Sequence, residues 1–456
     1  MLPYAGQEIQ IGVPADLGFA TAWEGPLNEW QAQAGAKYQL RELPRLEPGQ
    51  SLDLFAGSDA PTLALFPLER AGELIAAGHL APIPDSLRGD ENSGLGWPDI
   101  FQGLRERVAS RKSQPLFVPL SVPVLVCYYR QDLLEKSGLK PPQNWDDYQE
   151  LLNSLGTWAP GKTAVEPWGE SWRSTMFLAR AVSGAQHPSQ YSLFFDIETG
   201  APLISGPAFV RALSGAQQAL AKMPKDVLQY TPTQCLAELF AGRAALAIAC
   251  EPAAVEPQSQ GDSASAPVES GVDGLQVSVI RLPGSREVYD ASRGVWEPLP
   301  DKGISQVTLT GFSGWGVGAL ASSSKVQVEA AWSALLKASG PDLVSGYPPT
   351  VIGLCRESQL QAGVLPATFS LRAPLSCGPA VAESLRNPRL VAELQIEGRE
   401  EFRQVLAREV AAALSGSVSA EQALQTVAND WQKIIDRIGV ERHRNNYRSS
   451  LGLMVR

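Results

Sequence analysis

Histidine is scarce in this sequence, which has three in 456 residues, His79, His187 and His443, all far apart along the chain. The H-E-x-x-H pair of many zinc hydrolases is missing, and so is the G-x-S-x-G elbow of serine hydrolases. We therefore predict no metal site, no cofactor, no catalytic residue and no enzymatic activity. A glycosidase carboxylate pair stays open, because its two members are usually remote in sequence.

Charged residues are also few, at 19% of the chain, and the formal net charge is -10. An acidic chain without a basic stripe is a poor nucleic-acid binder, so no nucleic-acid partner is predicted. The arginines near the end are interpreted as a solvated helix end and tail: Arg437, Arg442, Arg444 and Arg448. No run of 18 uncharged apolar residues occurs, so no membrane-spanning segment is expected.

The five cysteines are odd in number and lack any C-x-x-C spacing, which excludes a complete disulfide framework. Cys127 and Cys250 lie within apolar runs and are predicted to be small buried side chains. A bridge between Cys355 and Cys377 is left open.

The most informative stretch runs from 118 to 152. Val122 to Tyr129 is an apolar run rich in β-branched and aromatic residues, as expected of a strand that is covered on both faces. Pro141 and Pro142 prevent a helix from continuing. Asn144 can then cap a helix whose apolar residues share one face. The pattern predicts a layered α/β domain.

The particular residues of this stretch are more informative about its family than its periodicity is. An apolar strand is followed by Tyr-Tyr-Arg, Asp-Leu-Leu, Gly-Leu, Pro-Pro and Trp-Asp-Asp-Tyr. Two further landmarks are DAPTLALFPLERAGELIAAGHLAPI near the start and Ala-Leu-Ser-Gly followed by Ser-x-Glu-Gln-Ala-Leu near the end. Together they resemble family 1 extracellular solute-binding proteins, the maltose-binding-protein-like receptors of ABC importers. The resemblance covers nearly the whole chain in the right order.

The resemblance implies an α/β, two-lobed, type II-like periplasmic-binding-protein fold, with a mainly parallel sheet flanked by helices in each lobe and a ligand cleft between the lobes. The expected N-terminal lobe is 1–120 plus 312–345, and the expected C-terminal lobe is 121–311 plus 346–456. Three crossings are expected, near 118–123, 310–315 and 345–350. The polar, Ser- and Pro-rich stretch 253–274 is predicted to be an inserted loop.

Eleven tryptophans are the positive signal, because a flat indole can cover the apolar face of a sugar. Trp145, Trp332 and Trp431 lie on apolar helical stripes and are predicted to be core residues. Trp23, Trp168, Trp172 and Trp315 lie in runs without such periodicity, so they are cleft candidates, with packing of a loop onto the core as the alternative.

The resemblance adds an aromatic, an acid and an arginine from the first-lobe loop, together with a residue of the first crossing and weaker candidates. The full set of predicted ligand-binding residues is Asp16, Trp23, Phe66, Glu69, Arg70, Ser121, Trp168, Trp172, Glu251, Trp315 and Tyr347. Pro123 stands where the maltose receptor of the family has a ligand-binding acid, which argues against maltose itself.

The predicted function is that of a receptor that binds a sugar or oligosaccharide and delivers it to ABC transporter permease subunits in the membrane. Alternatives are a receptor for a polyamine, an iron complex or glycerol phosphate, a ligand-presenting sensor subunit, and a two-lobed carbohydrate-active enzyme. A monomer is expected. The resemblance implies a periplasmic or extracytoplasmic location, with or without a lipid anchor, and an export signal removed before Met1.

Overall fold

The computed structural model describes residues 2–15, 17–44, 46, 49–89, 94–250, 274–340, 343–361 and 376–454. The helices of these residues are α1 (Phe19–Ala34), α2 (Ala71–Ala76), α3 (Gln131–Lys136), α4 (Trp145–Asn153), α5 (Leu155–Trp158), α6 (Glu170–Ala185), α7 (Pro207–Leu220), α8 (Pro232–Phe240), α9 (Lys325–Ser339), α10 (Cys377–Leu385), α11 (Arg399–Leu414), α12 (Ala420–Ile438) and α13 (Val440–Ser450).

The strands are β1 (Glu8–Pro14), β2 (Lys37–Leu43), β3 (Leu63–Pro67), β4 (Ser110–Arg111), β5 (Gln114–Pro115), β6 (Val118–Ser121), β7 (Leu125–Arg130), β8 (Thr163–Val165), β9 (Ala244–Cys250), β10 (Val277–Arg281), β11 (Glu287–Asp290), β12 (Val295–Pro298), β13 (Thr308–Thr310), β14 (Trp315–Ala319) and β15 (Leu390–Ala392). Short 3₁₀ turns such as Leu68–Arg70 connect several of them.

Two mixed sheets form the centre of the molecule, with strand orders β2-β1-β3-β14-β6 and β10-β7-β9-β8. In the first sheet β14 runs antiparallel to both of its neighbours. In the second sheet β7 runs antiparallel to β9 and β10, whereas β8 and β9 are parallel. Each sheet therefore has one reversed strand among strands that run in a common direction.

The reversed strands are the ones that follow a crossing between the sheets. The chain leaves β6 at Ser121 and enters the second sheet at Leu125, and it returns from Thr310 to enter the first sheet at Trp315. Leu125 lies opposite Cys250, the last residue of β9. A strand that enters a sheet at the edge where the others end must run backwards, so the two-sheet connectivity itself imposes the reversal.

Several sequence predictions are confirmed at the level of single elements. The sequence also predicts a first strand over Glu8 to Pro14, and these residues form β1. Asn144 caps α4 by accepting from the backbone N–H groups of Asp146 and Asp147, both at 3.0 Å. Ser419 and Gln422, in the landmark near the end of the chain, have the spacing of a capping box, and this box opens α12.

Other predictions were wrong because tertiary burial overrode local signals. The sequence predicts a loop at Trp23, because the run around it lacks apolar periodicity, and a helix only from Leu27 to Ala34. Instead, α1 runs through Pro26, and its buried residues fall at helical spacing on one face: Phe19, Trp23, Leu27, Trp30 and Ala34.

The sequence predicts a second inserted loop over 284–303 and a solvated tail at the end of the chain, but both segments form ordered elements. The stretch 284–303 contains the hairpin of β11 and β12, which packs on α6 and α7. The basic tail is helix α13, which buries His443 and Tyr447 against Phe195. Burial lowers the pKa of His443 to about 4, so its ring packs as a neutral group. The predicted loop 253–274 lies outside the described residues except for Gly274.

The side chains of all five cysteines are buried, and Cys355 and Cys377 are not joined to each other by a disulfide bond in this structure. Tyr128, on β7, approaches two of them: its hydroxyl donates to the carbonyl of Cys250 at 3.0 Å and lies 3.7 Å from Cys377 Sγ. Among the described residues, no helix has both the length and the apolar character needed to cross a membrane.

Trp431 should be a principal anchor of the C-terminal helices. Its side chain is fully buried, its Nε1 donates to the carbonyl of Phe402 at 2.9 Å, and its ring lies 5.3 Å from that of Phe195. Trp431→Ala should lower the free energy of unfolding by about 3–5 kcal/mol, as buried aromatic truncations do. Chemical denaturation would measure this.

The matched control is Gln425→Ala, at an exposed position of the same helix. It should change the free energy of unfolding by less than about 0.5 kcal/mol. Equal effects of the two substitutions would contradict the core role of Trp431.

Candidate ligand-binding cleft

The carboxyl ends of strands from both sheets meet at one edge, where open α/β sheets place their sites. On the first sheet this edge is marked by Pro67 and Ser121, both of which lie opposite Trp315. On the second sheet it is marked by Cys250, opposite Leu125. Because the chain crosses between the sheets here, the crossings form one wall of the space between them.

Ser121 is the point at which the crossings touch one another. Its Oγ accepts from the backbone N–H of Trp315 at 3.0 Å, which joins the first crossing to the second. Gly314 has φ +109°, and a Cβ at this position would lie 2.1 Å from the Ser121 carbonyl oxygen. A Cβ on Gly353 would lie 2.8 Å from Cβ of Ser121. Both glycines are therefore required by close approach, and Ser121 acts here as a structural residue.

A group of buried charged side chains lies on the second-sheet side of the cleft. Glu393 follows β15 and is fully buried. It accepts from Arg399 at 3.1 Å and lies 3.2 Å from Nε of Arg403. The hydroxyl of Thr175, one turn into α6, is 3.4 Å from the same carboxylate. Because Arg399 and Arg403 are one turn apart on α11, both guanidinium groups reach a single carboxylate.

Glu69 faces this group from the first-sheet side. Burial raises its pKa, while the positive charges of Arg399 and Arg403 oppose this shift. Its Oε2 is buried and has no hydrogen-bond partner among the described residues. The same holds for Oγ1 of Thr310 and Nε2 of Gln395. These atoms are polar groups that a hydroxyl-bearing ligand could satisfy.

The two lobes are in direct contact beside Glu69. A Cβ on Gly72, in α2, would lie 2.3 Å from the backbone carbon of Gln395. The side-chain oxygen of Gln395 in turn accepts from the buried guanidinium of Arg111, at 2.5 Å. A groove of about 370 Å³ lies next to this contact and is lined from both sides, by Arg70 and Glu73 on one and Glu400 on the other.

Two of the predicted tryptophans lie at the cleft edge with half-buried side chains, Trp172 and Trp315. The ring of Trp172 meets that of Phe312 edge to face, with centroids 5.8 Å apart. The carbonyl of Phe312 accepts from Arg399 at 3.3 Å, and Arg403 donates to the carbonyl of Ser171, beside Trp172. The indole of Trp172 and the charged group are thus adjoining parts of one site.

The other predicted site residues occupy different environments. Buried side chains are found at Trp23, Phe66, Arg70, Trp168 and Tyr347. The indole of Trp23 donates to the carbonyl of Gly346 at 2.6 Å and packs against the ring of Tyr347. Both lie in the core beside α9. Asp16 and Glu251 lie outside the described residues.

Trp168 belongs to a buried network rather than to an open surface. Its Nε1 donates to Glu166 at 3.0 Å, and Arg180 donates to the other oxygen of Glu166 at 2.8 Å. The guanidinium of Arg180 lies 4.0 Å from the ring centroid of Trp145. In this arrangement the indole of Trp168 has no surface to offer a ligand.

Sequence reasoning missed Glu393, Arg399 and Arg403. The signal is present: two arginines four residues apart flank Phe402, in a helix whose apolar stripe from Phe402 to Leu414 is the more obvious pattern. Charged residues at the start of a helix that packs on a buried face need partners from another element. They are therefore as informative as the apolar stripe.

One short motif is excluded by its position in the fold. Residues 156–163 read G-T-W-A-P-G-K-T and fit the consensus of a phosphate-binding loop. Such a loop follows a strand and opens a helix, whose N-terminus binds the phosphate. Here α5 comes first and β8 follows, so the order is reversed and the chain offers no helix N-terminus at this place.

Both the sequence and the fold of this chain are similar to those of known proteins. The family model described as "Bacterial extracellular solute-binding protein" matches residues 28–335. Among solved structures, the sugar-binding protein MalE of Xanthomonas citri is 16% identical, with a TM-score of 0.66, 94% of this chain covered and 98% of that one.

Two further structures are similar over comparable lengths. An ABC transporter solute-binding protein of Agrobacterium radiobacter K84 in complex with ribitol is 18% identical, with a TM-score of 0.63 and coverage of 95% and 100%. The maltose-bound MalE3 of T. maritima is 19% identical, with a TM-score of 0.61 and coverage of 94% and 100%. These similarities confirm the two-lobed α/β fold.

The raised pKa of Glu69 predicts a pH-dependent effect of its substitution. Because the folded protein holds the proton of Glu69 more tightly than the unfolded chain, its stabilising contribution is complete below the ordinary pKa of 4.5 and is lost as the pH rises through the raised pKa. Glu69→Gln is neutral at every pH. The melting temperature of the variant minus that of the wild type should therefore increase from pH 4 to pH 8.

Differential scanning calorimetry of both proteins across this range would measure the effect. A difference that stays constant with pH, or that falls as the pH rises, would contradict the inferred environment of Glu69.

Proposed function

Because this chain belongs to the bacterial extracellular solute-binding proteins, we propose that it is a receptor that binds a sugar or polyol between its lobes and delivers it to the permease of an ABC importer. Several solved structures similar to it are themselves solute-binding proteins with sugar or polyol ligands, including D-mannitol and α-D-tagatose. The cargo, the permease and an extracytoplasmic location are part of the proposal.

The observation that carries the proposal is the combination of half-buried indoles with unpaired polar atoms at one edge. Trp172 and Trp315 can cover apolar C–H faces of a ring or a polyol chain. Glu69 Oε2 can accept a hydroxyl hydrogen, and Gln395 Nε2 can donate to a hydroxyl oxygen. Carbohydrates and polyols present both kinds of surface in one small molecule.

The four charged side chains that face one another across the cleft are balanced in formal charge. Glu69 and Glu393 face Arg399 and Arg403, so the formal charges of these four side chains cancel. A polyamine receptor needs an excess of carboxylates, and a receptor for glycerol phosphate needs an excess of cations. Neither excess occurs among these four residues.

An iron complex receives no support from the adjacent tyrosines of β7. Tyr128 is fully buried, and its hydroxyl is bonded to Cys250. Tyr129 lies at the next position of the strand, where its side chain points to the opposite face of the sheet. The two phenols therefore cannot act together on one metal ion.

A ligand screen tests the proposal directly. A ligand that binds only the folded state stabilises it by about 2.7 kcal/mol at a concentration 100 times its Kd. Thermal shift against monosaccharides, disaccharides and sugar alcohols should identify at least one stabilising compound. Stabilisation by a polyamine, a ferric complex or glycerol phosphate, with no effect of any carbohydrate or polyol, would overturn the assignment of cargo.

A second readout separates a receptor from an enzyme. After prolonged incubation with saturating amounts of the stabilising compound, chromatography should recover that compound chemically unchanged. Turnover of the compound would support the alternative of a carbohydrate-active enzyme.

Trp172→Ala and Trp315→Ala should each weaken binding of the compound identified by the screen by about thirtyfold, or roughly 2 kcal/mol. The reason is the loss of the indole area that would cover the ligand. Titration calorimetry on the folded variants would measure the dissociation constants.

The matched control is Trp296→Ala. This half-buried indole lies on the hairpin of β11 and β12, where it packs against Arg211 at 4.6 Å, outside the cleft. Its substitution should leave the affinity unchanged. Unchanged affinity in both cleft variants would refute their place in the site.

A further inference from the structure

Three metal-binding side chains meet where the hairpin of β11 and β12 packs on the end of α6. His187 follows that helix, Asp290 ends β11 and Glu297 lies in β12. One potential ligand atom from each residue lies within 4.8 Å of the other two. The Nε2 atom of His187 and Oε2 of Glu297 are 3.2 Å apart. His187 precedes Glu297 by 110 positions, so no spacing motif could reveal the group.

Asp290 is held in one orientation by its own turn. Its Oδ1 accepts from the backbone N–H and the hydroxyl of Ser292, at 2.8 and 2.6 Å, and from the N–H of Arg293 at 3.3 Å.

His187 is oriented by Ser189. The Nδ1 atom of the imidazole accepts from the backbone N–H of Ser189 at 3.2 Å and lies 2.6 Å from Oγ of the same residue, so the ring proton is on Nε2, which faces Glu297. A metal ion bound at Nε2 would move this proton to Nδ1, where Oγ of Ser189 can accept it in place of the bond from the backbone N–H. A hydrogen bond to the second ring nitrogen is the usual support of a histidine that ligates a metal.

From this geometry we propose that His187, Asp290 and Glu297 bind a divalent transition-metal ion, with zinc as the ion of choice. One imidazole and two carboxylates form a nitrogen and oxygen set that suits zinc, whereas calcium takes six to eight oxygens. Three protein ligands leave a fourth tetrahedral position for water. The two carboxylates and the neutral imidazole together offset the charge of a dication.

Arg293 is the competing cation at this place. Its guanidinium contacts Oε1 of Glu297, whereas His187 faces Oε2. The side chain of Arg293 is 66% exposed, so it can move into solvent when a dication binds. The metal would then replace a solvated ion pair, whose own contribution to stability is small.

The expected role of the bound ion is to hold two elements together, not to catalyse a reaction. A bound ion would fasten the hairpin to the end of α6, adding to the contact of Arg211 with Glu287 at 2.9 Å. Trp172 lies at the opposite end of this 16-residue helix. At 1.5 Å per residue the two ends are about 20 Å apart, so the site is separate from the proposed sugar-binding cleft. The inference does not depend on the proposed function.

Titration calorimetry with zinc chloride tests the inference on the full chain, freed of any affinity tag and dialysed against a chelator. Wild-type protein should bind one zinc ion per chain with saturation. His187→Ala and Glu297→Gln should each weaken this binding by more than about 100-fold, since even supporting residues contribute 10- to 100-fold.

Glu287→Gln is the matched control, because it removes a carboxylate of the same hairpin that is paired with Arg211. It should leave zinc binding unchanged, and circular dichroism should show that all variants are folded. Wild-type protein without saturable zinc binding would overturn the proposal. So would a His187→Ala variant that binds as wild type, or an equal loss in Glu287→Gln, which would indicate diffuse attraction by surface carboxylates.

Discussion

The close approach of the crossings at Ser121 is the constraint on which the rest of the molecule depends. Gly314 and Gly353 both lie against this one residue, at distances that no larger side chain could occupy. The hydrogen bond from the backbone N–H of Trp315 to Ser121 joins the two crossings. Because the crossings lie at the edge of the sheets where the other strands end, they fix the position of the cleft and the direction of the reversed strands.

The elements of a layered α/β fold could be predicted largely from local signals in the sequence, whereas the two-lobed arrangement was implied by the resemblance to a known family. The strand β1, the cap of α4 and the box that opens α12 each follow from a few neighbouring residues. The failures share a physical cause. Helix α1 passes through Pro26, and α13 is a polar segment that becomes ordered only by burying His443 and Tyr447 against another part of the chain.

The candidate site was only partly readable. Glu69, Trp172 and Trp315 were proposed from sequence, and the structure places them at the edge where the lobes meet. Their partners Glu393 and Arg403 were missed, since the pairing joins elements that are far apart in sequence. Burial cannot be predicted from composition either. Trp168 lies in a Gly- and Glu-rich run, yet its indole donates to Glu166 within a buried network, away from any ligand.

The buried thiols have a consequence for work with this molecule. Burial raises the pKa of Cys127 and Cys235, so neither offers the thiolate that reacts with maleimides or oxidants. Since the side chains of all five native cysteines are covered, a single cysteine introduced on each lobe surface would be the preferred target of a fluorescent label. The wild-type chain can therefore be labelled at an introduced cysteine without first removing its native thiols. Such a labelled chain could serve as a dye-based sensor of ligand binding.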